Sequence, residues 1–208
     1  KRNVFAGTGI SRNDDSYKAG KEAVEMAIKN MQNQGASKPD FGFVFCSGGK
    51  YGNSDSRIKE LVKGAHDTFM SYNKDCKWIG CTTAGEISNY GISESSCIAT
   101  AVSSTYIKIG VGIGNDIYTN PEKAGRDSIS DALNNIEIDK HIHAYISYLT
   151  AKSKSSADLV KTNPYLILTI LAGSSAKRAV DSDTVLNGIK NVVGYRIPIV
   201  GGNAGDDF

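Results

Sequence analysis

Two regularly spaced sets of apolar residues in the first third of the chain predict amphipathic helices. The first helix follows Asp14, Asp15 and Ser16, which are candidate caps, and is expected to end near Gly35. The two apolar stripes are Ala23, Val24, Ala27, Ile28 and Met31, then Ile58, Leu61, Val62, Ala65 and Phe69. Because the apolar residues recur every three or four positions, each set lies on one side of a helix. The short apolar runs FGFVFCS and KWIGC, one after each helix, predict strands.

The middle of the chain has two β-rich runs, SCIATAVSS and YIKIGVGIG, with almost nothing between them. This spacing predicts two adjacent antiparallel strands. A third helix is expected to begin at Pro121, since Thr119 and Asn120 can cap a helix that has proline in its first turn. The run IHAYISYL predicts another strand, and residues 151–158, rich in Ser and Lys, predict an exposed loop. A strand in PYLILTILAG, a helix around Val185 and the run IPIVGGNAGDD complete the chain.

The segments IGCTTAGE and VGGNAGDD are alike in kind. Each is an apolar strand end followed by glycine and small polar residues, an Ala-Gly pair and an acid, and each follows a strand and a helix. This similarity predicts an internal duplication in which one half is interrupted by the central hairpin. The predicted fold is therefore α/β, with a mixed β-sheet and packed helices, an internal pseudo-duplication and a central antiparallel hairpin, in one domain over residues 1–208.

Charge and composition exclude several classes of partner. The 208 residues include 24 Lys and Arg against 22 Asp and Glu, a net charge of +2, without a basic block that would neutralise a row of phosphates. The longest apolar runs are much shorter than the roughly 20 residues of a membrane-spanning helix. The four cysteines lack C-x-x-C spacing, which favours reduced thiols in a cytoplasmic protein. Neither nucleic acid nor a membrane is expected to be a partner of this segment.

The two strand-end motifs are the strongest candidates for a ligand site. Glycines and small residues let a backbone approach a ligand closely, and consecutive N–H groups form a concave anion site. Glu86, Asp206 and Asp207 add the opposite charge, which suits a ligand with both signs, such as an amino acid. Neither Glu86 nor Asp206 is expected to belong to the core. The alternative from the residues alone is a pair of tight turns with ordinary solvated acids.

These motifs also carry a family resemblance. IGCTTAGEI and PIVGGNAGDD, preceded by AGTGIS before the Ala-rich first helix, are similar to the motifs of the FIST family in its N-terminal domain, from Val4 to Asp207. The resemblance implies an intracellular sensory module of a signal-transduction protein that binds a small ligand, with amino acids favoured. The candidate ligand-binding residues are Cys81, Thr82, Thr83, Gly85, Glu86, Gly202, Asn203, Asp206 and Asp207.

The resemblance also implies partners. A C-terminal FIST half is expected to follow this domain, with a histidine kinase, a chemoreceptor or a cyclic-dinucleotide enzyme as output module. No cofactor and no metal are expected. One departure from the family pattern stands at Ala172 and Gly173, followed by two serines, where relatives commonly have an Asp-Gly pair. The missing carboxylate predicts a shifted ligand preference.

Two alternatives stay open. An enzyme is not expected because no catalytic motif is complete, but Cys46 or Cys81 at a strand end could serve a thiol-dependent enzyme. A haem-linked sensor of nitric oxide would need an axial ligand, for which the candidates are His66, His141 and His143. The sequence alone does not decide between these readings and a sensor of small polar molecules.

Two glycine-rich segments resemble nucleotide-binding loops but lack their spacing. SGGKYGNS does not place Lys50 as a P-loop lysine, because the G-x-x-x-x-G-K-[ST] pattern is absent. GVGIGN has Gly110, Gly112 and Gly114 at every second position and is followed by no immediate helix. This pattern is typical of a glycine-lined segment that packs closely against a neighbouring element.

Overall fold

The computed structural model describes residues 4–137, 142–152, 164–174 and 178–205. The strands are β1 (Val4–Ser11), β2 (Phe41–Ser47), β3 (Lys77–Thr83), β4 (Glu86–Ser88), β5 (Gly91–Ser93), β6 (Cys97–Ser104), β7 (Ile167–Leu171) and β8 (Ile199–Asn203). The helices are α1 (Ser16–Gln32), α2 (Gly48–Tyr51), α3 (Asp55–Tyr72), α4 (Pro121–Asn134), α5 (Ile142–Lys152) and α6 (Ser182–Val193).

A four-stranded sheet forms the centre of the first part of the chain. Its order is β1-β6-β2-β3, and β6 runs antiparallel to both β1 and β2 while β2 and β3 are parallel. The predicted α/β fold with a mixed sheet and packed helices is therefore confirmed. Since β2 and β3 are parallel, the loops that leave them emerge at the same edge of the sheet.

Two helices, α1 and α3, cover one face of this sheet. The predicted stripe of α1, from Ala23 to Met31, is fully buried. The helix lies so close to β1 that a Cβ atom on Gly7 or Gly9 would overlap its backbone. The helices touch each other through Gly20 and Gly64 in the same way, because a Cβ on either would overlap a carbonyl oxygen of the opposite helix. Small residues thus let backbones pack directly against each other.

The second part of the chain packs α4 and α6 against the parallel pair β7 and β8. Its core includes Ile129, Val185 and Ile189. The two helices meet through Gly125 and Gly188, each of which faces a carbonyl oxygen of the other helix. This contact is of the same kind as that between α1 and α3. Since the described residues of the second part contain a two-stranded sheet rather than four strands, the internal duplication stays a prediction.

The predicted central hairpin is wrong. Residues 107–114 form no strand, and the antiparallel neighbours of β6 are β1 and β2. The glycines explain the difference, since a Cβ on Gly110, Gly112 or Gly114 would overlap the backbone of α4. The segment therefore packs on a helix, as its glycine spacing predicts, without strand pairing. A short antiparallel hairpin occurs instead in β4 and β5, which the sequence pattern did not predict.

The predicted strand in IHAYISYL is also wrong, because these residues begin helix α5. A short apolar run is compatible with either element, and here the helical stretch continues through Ala151 and Lys152, beyond the usual strand length. Of the loop predicted for 151–158, the first two residues belong to this helix and the rest lie outside the described residues. Among the described helices, none has the length and the apolar character needed to cross a membrane.

One lysine ties the two parts together at the start of β3. Lys77 Nζ donates to the carbonyl oxygen of Ile109 at 2.9 Å and also to the carbonyl oxygen of Asn135, just after α4. Strand β3 thus has the motif CTTAGE at one end and this connection at the other.

Candidate functional site

A small polar cavity lies where the loops leave β2 and β3. Its volume is about 200 Å³, and it is lined by Ser47, Ala84, Gly85, Glu94 and Ser95. Ser47 is the last residue of β2, the Ala-Gly pair follows β3, and the other two residues precede β6. Ligands of open α/β sheets commonly bind in a crevice at the carboxyl ends of the strands. The cavity therefore combines a favourable place in the fold with the first motif of the sequence.

Glu86 belongs to the interior rather than to the cavity wall. Its side chain is 2% exposed. Thr83 Oγ1 donates to Oε1 at 2.7 Å, and the backbone N–H and the hydroxyl of Ser96 donate to Oε2 at 3.1 and 2.7 Å. The expectation that Glu86 lies outside the core is wrong, because three donors from the chain surround the carboxylate. These bonds join the end of β3, the base of the hairpin and the start of β6.

The β4–β5 hairpin rises from this anchored base. Arg12 Nη2 donates to Ser93 Oγ at 3.0 Å, and Asn30 Nδ2 donates to Tyr90 Oη at 3.2 Å. Ile87 and Ile92 face each other across the hairpin and are 81% and 80% exposed. The hairpin is thus fixed to the first part of the chain while its isoleucines remain in solvent.

Glu94 and Ser95 line the cavity although, like Ser47, they were not predicted as site residues from the sequence. Ser95 has a φ of 59°, a left-handed conformation that is uncommon for residues other than glycine and is often found at functional sites. In the part of the chain that the structure describes, no hydrogen bond or ion pair engages the carboxylate of Glu94. The only sequence signal was its position in the polar run SESS, directly after the β-like residues GIS.

The second motif, VGGNAGDD, contacts the loop of the first motif beside the cavity. A Cβ atom on Gly205 would lie 2.8 Å from the backbone nitrogen of Ala84, so the Ala-Gly pairs of the two motifs are in contact. Asn203 Oδ1 accepts a hydrogen bond from Ser182 Oγ at 3.4 Å. Among the described residues, no atom lies within 4 Å of where a Cβ of Gly202 would be. The predicted site residues Asp206 and Asp207 lie outside the described residues.

The remaining predicted residues of the first motif stand on β3 beside the cavity. Cys81 and Thr82 are half-buried, and a methyl group of Thr82 lies near Gly52 at the end of α2. Of the seven predicted ligand-binding residues that the structure describes, Gly85 is the one that lines the cavity. A ligand contact by the others stays a prediction.

The short helix α2 closes the neighbouring side. Ser47 Oγ accepts a hydrogen bond from the backbone N–H of Lys50 at 3.2 Å. Lys50 Nζ turns to the loop after β1, where it meets Asp14 Oδ1 at 2.8 Å and the carbonyl oxygen of Arg12 at 2.7 Å. The hydrogen bond from Lys50 and its positive charge lower the pKa of Asp14. The lysine of SGGK therefore holds two loops together.

The environment of the cysteines disfavours thiolate chemistry. Burial, with a smaller contribution from the charge of Glu86, raises the pKa of Cys46 to about 12. Burial also raises the pKa of the half-buried Cys81 and of the fully buried Cys97. Since the thiolate is the nucleophile, a protonated thiol at neutral pH reacts slowly. The thiol-enzyme alternative gains no support from this geometry.

The haem alternative also gains no support. His66 is exposed on α3, with its ring 6.4 Å from that of Trp78, and it lines neither this cavity nor the larger one described below. His141 and the side chain of His143 lie outside the described part of the chain. In that described part, no group of three or more His, Cys, Asp or Glu could hold a metal ion.

A second cavity, of about 530 Å³, lies at the opposite end of β2 and β3. Four lysines are on its wall: Lys38, Lys74, Lys77 and Lys108. Three of them already have partners, since Lys38 Nζ meets Asn73 Oδ1 at 3.5 Å, Lys108 meets Glu137 at 3.5 Å, and the contacts of Lys77 are given above. This cavity is the seam between the two parts of the chain.

Comparisons with known proteins place the chain in a family. Among curated proteins, none matches it. Solved structures with some similarity include a YjgF/YER057c/UK114 family member from Mycobacterium tuberculosis, at 13% identity and TM-score 0.34, over 50% of this chain and 81% of that one. Thiamine monophosphate kinase from Aquifex aeolicus has 12% identity and a TM-score of 0.35, and the match covers 92% of this chain and 72% of the kinase. Cyanuric acid hydrolase from A. caulinodans has 10% identity and a TM-score of 0.40, and the match covers 98% of this chain and 67% of the hydrolase.

These TM-scores do not establish a shared fold. The sequence family is clear, however, because residues 40–208 match the FIST N domain. The matched range contains both Ala-Gly motifs and all five residues of the cavity wall. The chain belongs to the FIST N domain family, whose members are sensory domains of signal-transduction proteins.

Proposed function

We propose that this chain is a ligand-binding sensory domain whose ligand, an amino acid or a similar small polar metabolite, occupies the cavity beyond β2 and β3. The observation that carries the proposal is the position of this cavity. It forms at the Ala-Gly pair of the first motif, and Gly205 of the second motif touches the same pair. Two separated segments of the sequence thus meet at one polar opening.

The lining residues suit recognition by hydrogen bonds. Ser47, Glu94 and Ser95 have oxygen atoms in their side chains, and the backbone of Ala84 and Gly85 is exposed beside them. These oxygen atoms and the exposed backbone can donate and accept hydrogen bonds with a small polar ligand, which supports binding at this place.

Different roles follow for the predicted site residues. Thr83 and Glu86 hold the loop in shape through their mutual hydrogen bond, while Gly85 faces the ligand directly. Cys81, Thr82, Gly202, Asn203, Asp206 and Asp207 remain proposed neighbours of the ligand. For those of them that the structure describes, the contribution would come through the contact between the two motifs rather than from the cavity wall.

Signalling would follow from a shift between two arrangements of the chain. Strand β3 connects the cavity to Lys77, which binds the backbone of the second part at Ile109 and Asn135. A ligand that favours one position of this strand would change the population of that arrangement. The proposed recipients are a C-terminal FIST half and an output module in the cytoplasm, namely a histidine kinase, a chemoreceptor or a cyclic-dinucleotide enzyme.

A thermal-shift screen of the 208-residue chain against amino acids and small carboxylates tests the proposal. A ligand that prefers the folded state raises the melting temperature. The variant Ala84→Phe fills the cavity from an exposed position and is expected to abolish the shift, whereas Ala151→Phe, an exposed alanine of α5, is expected to preserve it. A shift of equal size in both variants would show that the ligand does not bind in this cavity.

A further inference from the structure

The only charged side chain among the described residues of the cavity wall is negative. Glu94 supplies a carboxylate, and the other four lining residues are serine, alanine and glycine. Of the nearby cations, Lys50 pairs with Asp14 and Arg12 donates to the hydroxyl of Ser93, so neither contacts the carboxylate of Glu94. Among the described residues of the wall, a ligand would therefore meet one negative charge and no lysine or arginine.

Glu94 is better placed than Glu86 to contact a ligand in the cavity. The carboxylate of Glu86 is surrounded by Thr83 and Ser96, whereas that of Glu94 has no partner among the described residues and its side chain is exposed. The left-handed Ser95 directly after it keeps the loop in an uncommon conformation. Such local strain persists where the surrounding structure fixes it, and here the next residue, Ser96, is anchored on Glu86.

We infer that Glu94 is the specificity-determining residue of the cavity and that the ligand is a small molecule carrying an ammonium or another cationic group. This inference rests on the proposed function and names the ligand charge that the site selects. The carboxylate accepts hydrogen bonds from the cation, and the serine hydroxyls and loop backbone complete the contacts. A carboxylate on the ligand is not required, because no positive side chain lines the cavity among the residues that the structure describes.

The volume limits the size of the ligand. A cavity of about 200 Å³ corresponds to the liquid volume of roughly seven water molecules, at about 30 Å³ each. Molecules with about six non-hydrogen atoms, such as L-alaninamide, fit this space. Sodium propionate offers nearly the same size with the opposite charge, which makes the two compounds a matched pair of probes.

Isothermal titration calorimetry of the whole chain with these two probes tests the inference. At pH 6.5 the α-amino group of L-alaninamide is protonated, because its pKa is roughly 8. We expect L-alaninamide to bind and propionate not to bind. Glu94→Gln keeps the shape of the side chain, removes its charge and is expected to weaken L-alaninamide binding roughly tenfold, the loss typical of a charged hydrogen bond. Glu60→Gln, an exposed acid on α3, is expected to preserve the affinity.

The outcomes separate this inference from the proposed function. If propionate or a neutral compound of the same size binds and Ala84→Phe abolishes that binding, the cavity is a ligand site and the charge assignment is overturned. If L-alaninamide binds equally well to Glu94→Gln and to the parent chain, Glu94 is not the specificity residue. If no compound in the panel and no amino acid binds the parent chain, both the inference and the proposed function are overturned.

Discussion

Ser96 donates two hydrogen bonds to Glu86, one from its backbone N–H at 3.1 Å and one from its hydroxyl at 2.7 Å. Thr83 donates a third from the opposite side. The buried carboxylate thus ties the end of β3 to the start of β6 across the base of the β4–β5 hairpin. Two of the three segments of the cavity wall, Ala84–Gly85 and Glu94–Ser95, are attached directly to these three residues.

Removing this carboxylate is expected to destabilise the fold. In Glu86→Ala the donors of Thr83 and Ser96 lose their acceptor in the interior, and an unsatisfied buried donor costs about 1–3 kcal/mol. We predict a decrease in the free energy of unfolding of about 2–4 kcal/mol, measured by urea denaturation, and a smaller decrease for Glu86→Gln, which keeps one oxygen acceptor. Glu60→Ala, on an exposed surface, serves as control. Equal denaturation midpoints for Glu86→Ala and this control would show that the buried network is not formed.

The glycines between paired helices provide a second prediction. A Cβ on Gly20 or Gly188 would overlap a carbonyl oxygen of the opposite helix, so alanine at either position forces the helices apart. Overpacking of this kind costs about 1–3 kcal/mol. We expect Gly20→Ala and Gly188→Ala to lower the melting temperature. We expect Gly202→Ala to change it little, because no described atom lies within 4 Å of the added Cβ. A higher melting temperature in both helix variants would indicate that the helices lie farther apart.

The connection made by Lys77 is expected to control the mobility of the second part. Lys77→Met keeps an apolar stem of similar length but loses the donors to Ile109 and Asn135. We predict faster amide hydrogen exchange in residues 107–114 of this variant, because local opening becomes easier. Lys74→Met, an exposed lysine in the preceding loop, is the matched control. Exchange at the parent rate in Lys77→Met would contradict the proposed coupling through β3.

The cysteines are expected to react in order of their burial. The pKa of Cys46 and that of Cys76 are raised to about 12 by burial, so at pH 8 both are protonated in the folded chain. We predict that iodoacetamide modifies the half-buried Cys81 first and leaves Cys46 and Cys76 unmodified until the chain is unfolded, as mass spectrometry of timed samples can show. Rapid labelling of Cys46 in the folded chain would instead favour the thiol-enzyme alternative.

The same pKa shifts predict a loss of stability in alkali. The folded thiols hold their protons to a higher pH than unfolded thiols, whose ordinary pKa is 9.0. Their contribution to stability is therefore complete below about pH 9 and decreases as the pH rises from there toward about 12. Urea denaturation of the parent chain and of Cys46→Ala over this pH range measures the effect. An equal pH dependence in the two proteins would contradict it.

Much of the helical core was predictable from the sequence because its periodicity is strong. The stripe of α1 is buried as predicted, and Pro121 begins α4. The segment 107–114 was misassigned because alternating glycine and β-branched residues fit both a strand and a chain packed on a helix. The strand predicted for IHAYISYL was wrong for a similar reason, since the periodicity of a short apolar stretch does not distinguish a strand from a helix.

The sequence predicted where in the fold the candidate site lies, but it did not predict all the residues that line it. The small residues around Gly85 indicated a close backbone approach, and this loop does line the cavity. Glu86 was not predicted to belong to the core, because its partner Ser96 is ten residues away along the chain and their contact has no local sequence signal. Glu94 carries no motif of its own, and it reaches the cavity only because the hairpin folds back on the buried carboxylate.

A titration followed by amide NMR locates the bound ligand on the chain. With L-alaninamide added to the 15N-labelled 208-residue chain, we expect the amide signals of Ser47, Ala84, Gly85, Glu94 and Ser95 to move together with one dissociation constant. Signals beside the second cavity, around Lys38 and Lys74, are expected to stay in place. Movement confined to that second cavity, or no movement in either with any amino acid, would contradict a ligand site at the motif CTTAGE.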